Sequence, residues 1–194
     1  MKKMIPLPPF DNNKYVWQGN RWKKINLGGN ANKFLFYGGL TETTIKANSN
    51  DLSTLNTSAD YGGIIETIAV DDTYVYAGGR KSYTVIKYLK SDLSYVGESP
   101  SYGGNIFAIA VDDTYVYAGG LTTRTVRKYL KSDLSYVSES PNYGGIIRSI
   151  AIDDTHIYAG GESTQTVRKY LKSDLSYVSE SPSYGESIFA IAVG

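Results

Sequence analysis

The chain has 194 residues, 41% of them apolar, and its 20 basic residues are balanced by 19 acidic ones for a formal net charge of +1. This length can bury the core of one domain, or of one domain with an arm, and the small net charge argues against a nucleic-acid binder. The absence of cysteine excludes disulfides and thiolate metal sites, whereas 18 tyrosines and 20 glycines favour short strands and tight turns over helices.

Residues 1–30 differ in character from the rest of the chain, and we assign them to an arm that precedes a repeat domain at 31–194. Ile5–Phe10 reads IPLPPF, and this proline content predicts an extended strip that cannot pair as a strand. No apolar region follows the two lysines near the start, so no signal peptide is predicted. The segment 15–25, YVWQGNRWKKI, predicts a hairpin of two aromatic strands around a Gln-Gly-Asn-Arg turn.

The dominant feature of the chain is an internal repeat with a period of 41 residues. The matching units begin at Tyr61, Tyr102, Tyr143 and Tyr184. Units 102–142 and 143–183 are identical at roughly three quarters of their positions. A period near 40 is typical of two architectures, arrays of helix pairs and four-stranded propeller blades, and the residues inside a unit decide between them.

Short β-branched and aromatic runs within each unit are separated by turn-forming residues, which predicts four strands, named a to d. Within the unit 102–142 we expect turns at Asp112–Thr114 and Ser132–Asp133, and Gly119-Gly120 ends strand b where backbone freedom is needed. Strand a is small and apolar, which suits an innermost strand that is covered on both faces. The predicted strand bounds are 106–111, 115–118, 125–130 and 134–139.

The stretch 31–60 is a worn copy that supplies strands b, c and d but no strand a. Its Phe36–Gly39 matches the end of strand b, and its Ile45-Lys46 matches Ile86-Lys87. Strand a recurs near 65–70, 106–111, 147–152 and 188–193, so the chain holds four of each strand. The sequence therefore predicts an all-β propeller of four blades, in which the C-terminal strand a completes the worn blade and closes the ring.

Three other arrangements stay open from the sequence. In the first, the chain is a truncated part of a longer array. In the second, several chains share one larger ring. In the third, Trp22–Asn26 is the first strand a, and residues 188–193 are then left without a blade to complete. All three arrangements contain the same four-stranded blade and differ only in what pairs with the strands at the two ends of the array.

The pattern I-x-x-IAVDDTYVYAGG…TVRKYLKSDLSYV resembles β-propellers of the WD-repeat-like, NHL and PQQ-like group, from about residue 33 to the end of the chain. The Gly-His and Trp-Asp dipeptides of true WD repeats and the tryptophan docking motif of PQQ enzymes are absent. The resemblance implies a binding scaffold, and the function has to be argued from a site.

Two residue types invite a chemical interpretation. The Asp-Asp pairs at 71–72, 112–113 and 153–154 suit calcium or a hairpin turn, and we favour the turn because one pair per blade spreads the carboxylates around the ring. His156 is the single histidine and indicates neither a metal site nor a catalytic triad. The repeated Lys-Ser-Asp and Val-Arg-Lys segments, the second of which includes Arg127 and Lys128, are interpreted as solvated outer strands. We predict no catalytic, cofactor or metal site, and we expect the protein not to be an enzyme.

The differences between the clear units concentrate in two places, the start of strand a and the loop between strands b and c. Because successive strands run in opposite directions, both places lie on one face of a propeller, and this predicts a recognition surface. Relaxed drift in long loops is the alternative explanation. The predicted surface residues are Glu66, Arg80, Tyr83, Phe107, Arg124, Arg148, Glu162, Gln165 and Phe189.

The hairpin pattern YVW-x-G-x-x-W-x-x-I resembles short segments of bacteriophage tail and fibre proteins, over about eleven residues. This resemblance implies a non-enzymatic structural or adhesion protein of the virion, in the tail, a fibre or the head surface. The arm would attach to other virion proteins through Pro8, Phe10, Trp17 and Trp22. The propeller would contact a host-surface glycan or protein, with a homo-oligomer left open and without nucleic acid, a cofactor or a membrane span. A hairpin that only caps the propeller is the other interpretation of the arm, and a bacterial carbohydrate-binding lectin is the alternative function.

Overall fold

The computed structural model describes residues 15–18, 21–24, 35–37, 44–48, 54–80 and 82–194, and every helix or strand assigned in these ranges is a β-strand. Strands β1 (Tyr15–Gln18) and β2 (Arg21–Lys24) pair antiparallel and place the backbones of Trp17 and Trp22 opposite each other. The predicted hairpin is therefore confirmed. Among the described strands β2 pairs with β1 and not with β3, which speaks against a first strand a that begins at Trp22, whereas Ile25 and Asn26 of that arrangement lie outside the described residues.

The other strands described form four antiparallel sheets, each a meander in chain order. We call them blades 0 to 3, and blade 0 comes from the worn copy. Blade 0 is β3 (Leu35–Tyr37), β4 (Lys46–Asn48) and β5 (Thr54–Thr57), and blade 1 is β6 (Ile65–Val70), β7 (Tyr74–Gly79), β8 (Ile86–Leu89) and β9 (Tyr95–Glu98). Blade 2 is β10 (Ile106–Val111), β11 (Tyr115–Gly120), β12 (Arg127–Leu130) and β13 (Tyr136–Glu139), and blade 3 is β14 (Ile147–Ile152), β15 (His156–Gly161), β16 (Arg168–Leu171) and β17 (Tyr177–Glu180).

The predicted all-β propeller fold is confirmed in the clear units. In blade 2 strand b extends two residues further than predicted, and strands c and d begin two residues later. The inner strand β10 lies against β6 and β14, the inner strands of the two neighbouring blades. Ala108 and Ile109 are buried there, because small apolar side chains let the inner strands approach one another around the axis.

The Gly-Gly pair at the end of strand b lies inside the strand, and the prediction that it supplies backbone freedom is wrong. Gly119 and Gly120 are in β11 and neither has a positive φ. A Cβ on Gly119 would lie 2.7 Å from Cγ2 of Ile147 in the next blade, and one on Gly120 would collide with the Asn105 carbonyl. Glycine is needed here because neighbouring strands approach too closely for any side chain.

The core lies between blades. One cluster combines Tyr76 and Val85 of blade 1 with Ile106, Val116 and Tyr129 of blade 2, all of them buried. Equivalent clusters join blade 0 to blade 1 and blade 2 to blade 3. Burial of apolar surface contributes about 25 cal/mol per Å² to stability. Because each cluster is built from two neighbouring blades, each blade is stabilised by its contact with the next, as in other repeat arrays.

One tyrosine at each boundary also joins two blades by hydrogen bonds. The Tyr102 N–H donates to the Tyr83 carbonyl of blade 1 at 2.6 Å, and the Tyr102 hydroxyl donates to the Thr125 carbonyl of blade 2 at 2.7 Å. Tyr143 makes both bonds between blades 2 and 3. Tyr102 and Tyr143, which mark the starts of two units, are therefore buried cross-links between sheets.

Hydrogen bonds show that the predicted alignment of the worn copy with blade 1 is wrong by one residue at Ile45. The Ile45 N–H donates to Ser58 Oγ at 2.8 Å, and the Ile45 carbonyl accepts from the Ser58 N–H at 2.9 Å. Val85 and Ser99 make the same pair in blade 1. Ile45 is therefore equivalent to Val85 and not to Ile86 as predicted, because the connection between strands c and d is one residue shorter in blade 0.

The predicted closure of the ring by residues 188–193 is not made in this structure. Residues 181–194 contain no strand, and β3 pairs with β4 alone among the described strands. Ile188 does follow the path of a strand a, since its N–H donates to the Gly161 carbonyl at 3.0 Å and its side chain packs on Gly160. Residues 188–193 form no strand pairing with blade 0, the sheet that they were expected to complete, because blade 0 packs on blade 1 at the other end of the row of blades.

Candidate interaction surface

Each described inner strand carries a β-bulge near its start, and the bulged residue is one that varies between units. The register of β10 on β11 shifts between Ile106 and Ala108, which brackets Phe107. The same shift brackets Glu66 in β6 and Arg148 in β14. Because a bulge re-aims the side chain of its extra residue, three variable side chains leave the regular alternation at equivalent places in three blades.

The start of strand a and the b–c loop meet in each clear blade, as the strand directions predict. The Arg80 N–H donates to the Ile64 carbonyl at 2.8 Å. Leu121 and Glu162 make the equivalent bond in blades 2 and 3. This bond places the first loop residue beside the bulged residue of the same blade.

Five of the predicted surface residues form one row across three blades, which we call the Phe107 row. Arg80 forms an ion pair with Glu66 in blade 1, and its Cζ lies 6.0 Å from the ring centroid of Phe107 in blade 2. The Cζ of Arg148 in blade 3 lies 4.0 Å from the same centroid, and its Nη2 is 2.6 Å from Glu162 Oε1. The ring of Phe107 therefore has two guanidinium neighbours, each held by a glutamate of its own blade.

The Phe107 row is accessible, and its two acidic and two basic groups balance in charge. The Arg80 side chain is 45% exposed and that of Arg148 is 26% exposed. Partly exposed ion pairs of this kind contribute about 0–1 kcal/mol to stability, so folding alone gives little reason for the arrangement. Arginine and aromatic side chains are enriched among the residues that dominate protein contacts, and the row offers both.

The loop residues Tyr83, Arg124 and Gln165 occupy one equivalent backbone position. Their φ angles are 57°, 56° and 56°, and each carbonyl accepts the N–H of the next boundary tyrosine. A non-glycine residue in this left-handed conformation is held there by its surroundings. Because only the backbone makes this bond, the side chain can vary, and Tyr83 and Arg124 are exposed in the loops that flank the Phe107 row.

The remaining predicted residues lie apart from the row. Phe189 occupies the unit position of Phe107 but is 65% exposed, on the segment that follows blade 3. Pro8 and Phe10 lie outside the described residues, and only the backbone is described for Trp17 and Trp22. The attachment role of the arm therefore stays a prediction.

The repeated a–b turns bind the blades together through their first aspartate. Oδ1 of Asp71 accepts the N–H groups of Thr73 and Tyr74 at 2.7 and 2.6 Å, and Oδ2 is 2.9 Å from Nζ of Lys131 in the next blade. Burial acts to raise the pKa of Asp71, but the Lys131 ammonium and the two N–H donors outweigh it and lower that pKa. The same pairing recurs between blades 2 and 3. The turn interpretation is confirmed for this aspartate.

Lys87 and Lys128 of strand c correct the interpretation of solvated outer strands. Both are 2% exposed. The Lys128 Nζ donates to the carbonyls of Lys172 and Ser173 in the next blade at 2.7 and 3.0 Å, and burial lowers its pKa. A signal for this role was present in the sequence, since this lysine recurs in every clear unit while the loop residues around it change.

Three further features of the described part of the chain bear on the candidate chemistry. No group of three or more acidic or histidine side chains in it is arranged to hold a metal ion. Within the same ranges no helix has the length and apolar character needed to cross a bilayer. His156 Nδ1 is 2.8 Å from Thr155 Oγ1, a local contact next to the a–b turn of blade 3.

Comparison with known proteins bears on the fold. No protein-family model and no curated protein sequence matches the chain. A structure of U3-55K and a crystal structure of RRP9 WD40 repeats each match 80% of the chain with a TM-score of 0.72 at 15% sequence identity. The chain covers 50% and 49% of these two structures, so it spans about half the length of the propellers that it matches. The similarity shows that the chain has the fold of a WD40-like β-propeller.

Proposed function

We propose that the chain is a non-enzymatic binding scaffold of a bacteriophage virion and that the Phe107 row, with the loop tips beside it, contacts a partner surface. The observation that carries this proposal is the row itself. Residues that vary between otherwise near-identical units converge into one strip across three blades. The propeller fold supports a binding role, because a rigid scaffold with variable loops is a common way to build an interaction site.

The chemistry of the paired positions favours a selected surface over drift. The bulged residue and the first loop residue are Glu66 with Arg80 in blade 1 and Arg148 with Glu162 in blade 3, so the two charges are exchanged and the ion pair is kept, whereas blade 2 has the apolar residues Phe107 and Leu121 at these positions. Independent drift at the two positions gives no reason for the two charges to remain complementary. The retained pairing supports a row whose geometry is under selection.

The assignment to a virion is supported by the arm. The β1–β2 hairpin holds the aromatic pattern that resembles bacteriophage tail and fibre segments. In this proposal the arm attaches the chain to another virion protein in the tail, a fibre or the head surface, and the propeller face is presented outwards to the host or to a neighbouring subunit.

The binding role is tested with the fluorescent full-length chain on cells of the bacterium that the phage infects. The double variant Phe107→Ala/Arg148→Ala removes the aromatic ring and the guanidinium over it, and we expect about tenfold weaker binding or more. Tyr95→Ala, which changes an exposed tyrosine on the outer strand of blade 1, is the control and should bind like the parent. Equal binding by the double variant and the parent contradicts the proposed surface.

The virion assignment is tested separately on purified particles. Immunogold electron microscopy with an antibody to the chain should label the tail, the fibres or the head, and mass spectrometry should detect the chain in the same particles. Particles that lack the chain contradict the virion assignment and leave the binding surface to its own test.

The exposed Tyr83 at a loop tip favours a second candidate, a carbohydrate-binding lectin. An aromatic ring held at a fixed backbone position can stack on a sugar. A glycan array probed with the free chain distinguishes the two candidates. The lectin function is supported if the chain binds a defined glycan and Tyr83→Ala abolishes that binding. An array on which the chain binds no glycan contradicts the lectin function.

A further inference from the structure

The row of blades ends in a groove whose equivalents inside the chain are filled. The groove has a volume of about 640 Å³, and its lining includes Val167, Tyr184, Ile188 and Ile191. Tyr184 is 74% exposed, whereas its equivalents Tyr102 and Tyr143 are fully buried by the blade that follows them. The apolar face that each blade covers on its predecessor is therefore open after blade 3.

The boundary tyrosine makes only half of its cross-link at this groove. The Tyr184 N–H donates to the Gln165 carbonyl at 2.7 Å, as Tyr143 does to Arg124. At the inner boundaries the tyrosine hydroxyl donates to a threonine carbonyl before strand c of the next blade. Among the described residues no carbonyl takes that place for Tyr184, so the groove is an unfinished copy of an interface that the chain forms elsewhere.

Blade 0 has the complementary features. It contains strands b, c and d, and no strand a is paired with β3 among the described residues. The equivalence of Ile45 with Val85 places Thr44 where Thr84 stands, and the Thr84 carbonyl accepts the hydroxyl of the boundary tyrosine Tyr61. Blade 0 therefore offers the acceptor that Tyr184 lacks.

The curvature of the array indicates that a ring needs about twice the blades seen here. The chain superposes over 80% of its length on propellers of which it covers only half. Such a match requires that successive blades turn through an angle similar to that of the larger propellers. At that angle the two ends of one copy lie about half a ring apart, and a second copy would fill the rest.

We propose that two copies of this chain complete one propeller, in which residues 188–193 of each copy become the inner strand of blade 0 of the other. The contact is heterologous, and by two-fold symmetry it closes after two identical junctions. The register follows from β6 on β7, in which Ile68, Ala69 and Val70 oppose Ala77, Tyr76 and Val75. The equivalent partners are Ile191 with Tyr37, Ala192 with Phe36 and Val193 with Leu35.

The junction between copies is expected to be weaker than those within the chain. Lys46 of blade 0 stands at the position of the buried Ile86 of blade 1, so the face that meets blade 3 is more polar than its internal equivalents. Association should therefore depend on protein concentration. Light scattering with size-exclusion chromatography should show a shift from 21.3 kDa to twice that mass as the concentration rises.

The register is tested by cross-linking, for which a chain without cysteine is well suited. The double variant Phe36→Cys/Ala192→Cys is oxidised and run on a non-reducing gel. A disulfide-linked dimer supports the proposal, whereas a disulfide within one chain shows closure of a smaller ring and overturns it. Longer disulfide-linked ladders also overturn it, because they show an open filament. Tyr95→Cys/Ala192→Cys is the control pair and should give little cross-linked product.

A variant at the groove tests the contact without disturbing a single copy. Tyr184→Ala changes a side chain that is largely exposed in one copy, so its circular dichroism should match that of the parent. Its dimer dissociation constant should rise about tenfold, the effect of losing a buried hydrogen bond and the contacts of the ring. Tyr95→Ala is the matched control and should dimerise like the parent. A parent chain that stays at 21.3 kDa at every concentration overturns the proposal.

Discussion

Lys87 of blade 1 donates from Nζ to the main-chain carbonyl of Lys131 in blade 2 at 2.6 Å. The same Nζ donates to the Ser132 carbonyl at 3.0 Å and lies 4.0 Å from the ring centroid of Tyr74. Lys131 reaches in the opposite direction, to Oδ2 of Asp71 at 2.9 Å. Two lysines therefore cross the boundary between blades 1 and 2 in opposite directions, and Lys128 and Lys172 do the same between blades 2 and 3.

Removing a crossing lysine should destabilise the array. Lys128→Met keeps the aliphatic stem but leaves the carbonyls of Lys172 and Ser173 without their donor. We expect a loss of about 1–3 kcal/mol in the free energy of unfolding, measured by urea denaturation at low protein concentration. The matched control is Lys169→Met in blade 3, where Nζ lies 5.6 Å from the Tyr158 ring centroid and reaches no carbonyl of the described residues. Equal losses for both variants would contradict the role of the cross-blade bonds.

The glycine inside strand b predicts a steric effect between blades. Gly119→Ala places a Cβ 2.7 Å from Cγ2 of Ile147 and 2.9 Å from Cδ1 of Ile150. The expected cost is about 1–3 kcal/mol in the free energy of unfolding, because the inner strand of blade 3 must move away. Gly97→Ala in β9 is the control, since a Cβ there meets no atom within 4 Å. A Gly119→Ala variant as stable as the parent would show that the inner strands are not in close contact.

Acid should weaken the boundaries between blades through the turn aspartates. Burial acts to raise the pKa of Asp71 and of Asp112, but the lysine and N–H donors outweigh this effect and hold both pKa values below the ordinary value. The stability that these carboxylates contribute is therefore fully present above about pH 4, where the unfolded chain is also ionised, and is lost as the pH falls through their lowered folded pKa.

The variant Asp112→Asn isolates this contribution. Urea unfolding of the variant should show a lower stability than the parent at pH 7 and a smaller further loss between pH 4 and pH 2. Asp113→Asn, the second residue of the same turn, is the control and should follow the pH dependence of the parent. A steep acid loss that Asp112→Asn leaves unchanged would assign the acid sensitivity to other groups.

The boundary tyrosines predict a position-dependent effect of one hydroxyl group. Tyr102→Phe removes the bond to the Thr125 carbonyl and should lower the free energy of unfolding by about 0.5–1.5 kcal/mol. Tyr184→Phe removes the same group, for which the described part of a single copy offers no acceptor, and at low protein concentration it should leave the stability unchanged. Calorimetry of both variants checks the difference, and a reversed order would contradict the cross-link.

Properties of the local sequence are enough to predict the blade. The 41-residue period, the β-branched runs and the turn residues around Asp112 indicate four strands per unit, and the small side chains of Ala108 and Ala110 indicate the innermost one. These features depend on neighbouring residues along the chain, and the structure confirms them with shifts of two residues at strand ends. The convergence of the variable positions on one end follows from strand direction alone.

The tertiary structure decides everything that depends on the distance between sheets. It shows that Lys128 is buried, that Gly119 makes room for Ile147, and that bulges direct Phe107 and its equivalents into one row. It also leaves the C-terminal segment outside every described sheet, although the strand count predicted a closed ring. A repeat pattern specifies what each blade contains, but the angle at which one blade packs on the next arises from contacts between residues far apart in the chain, and that angle determines how many blades close a ring.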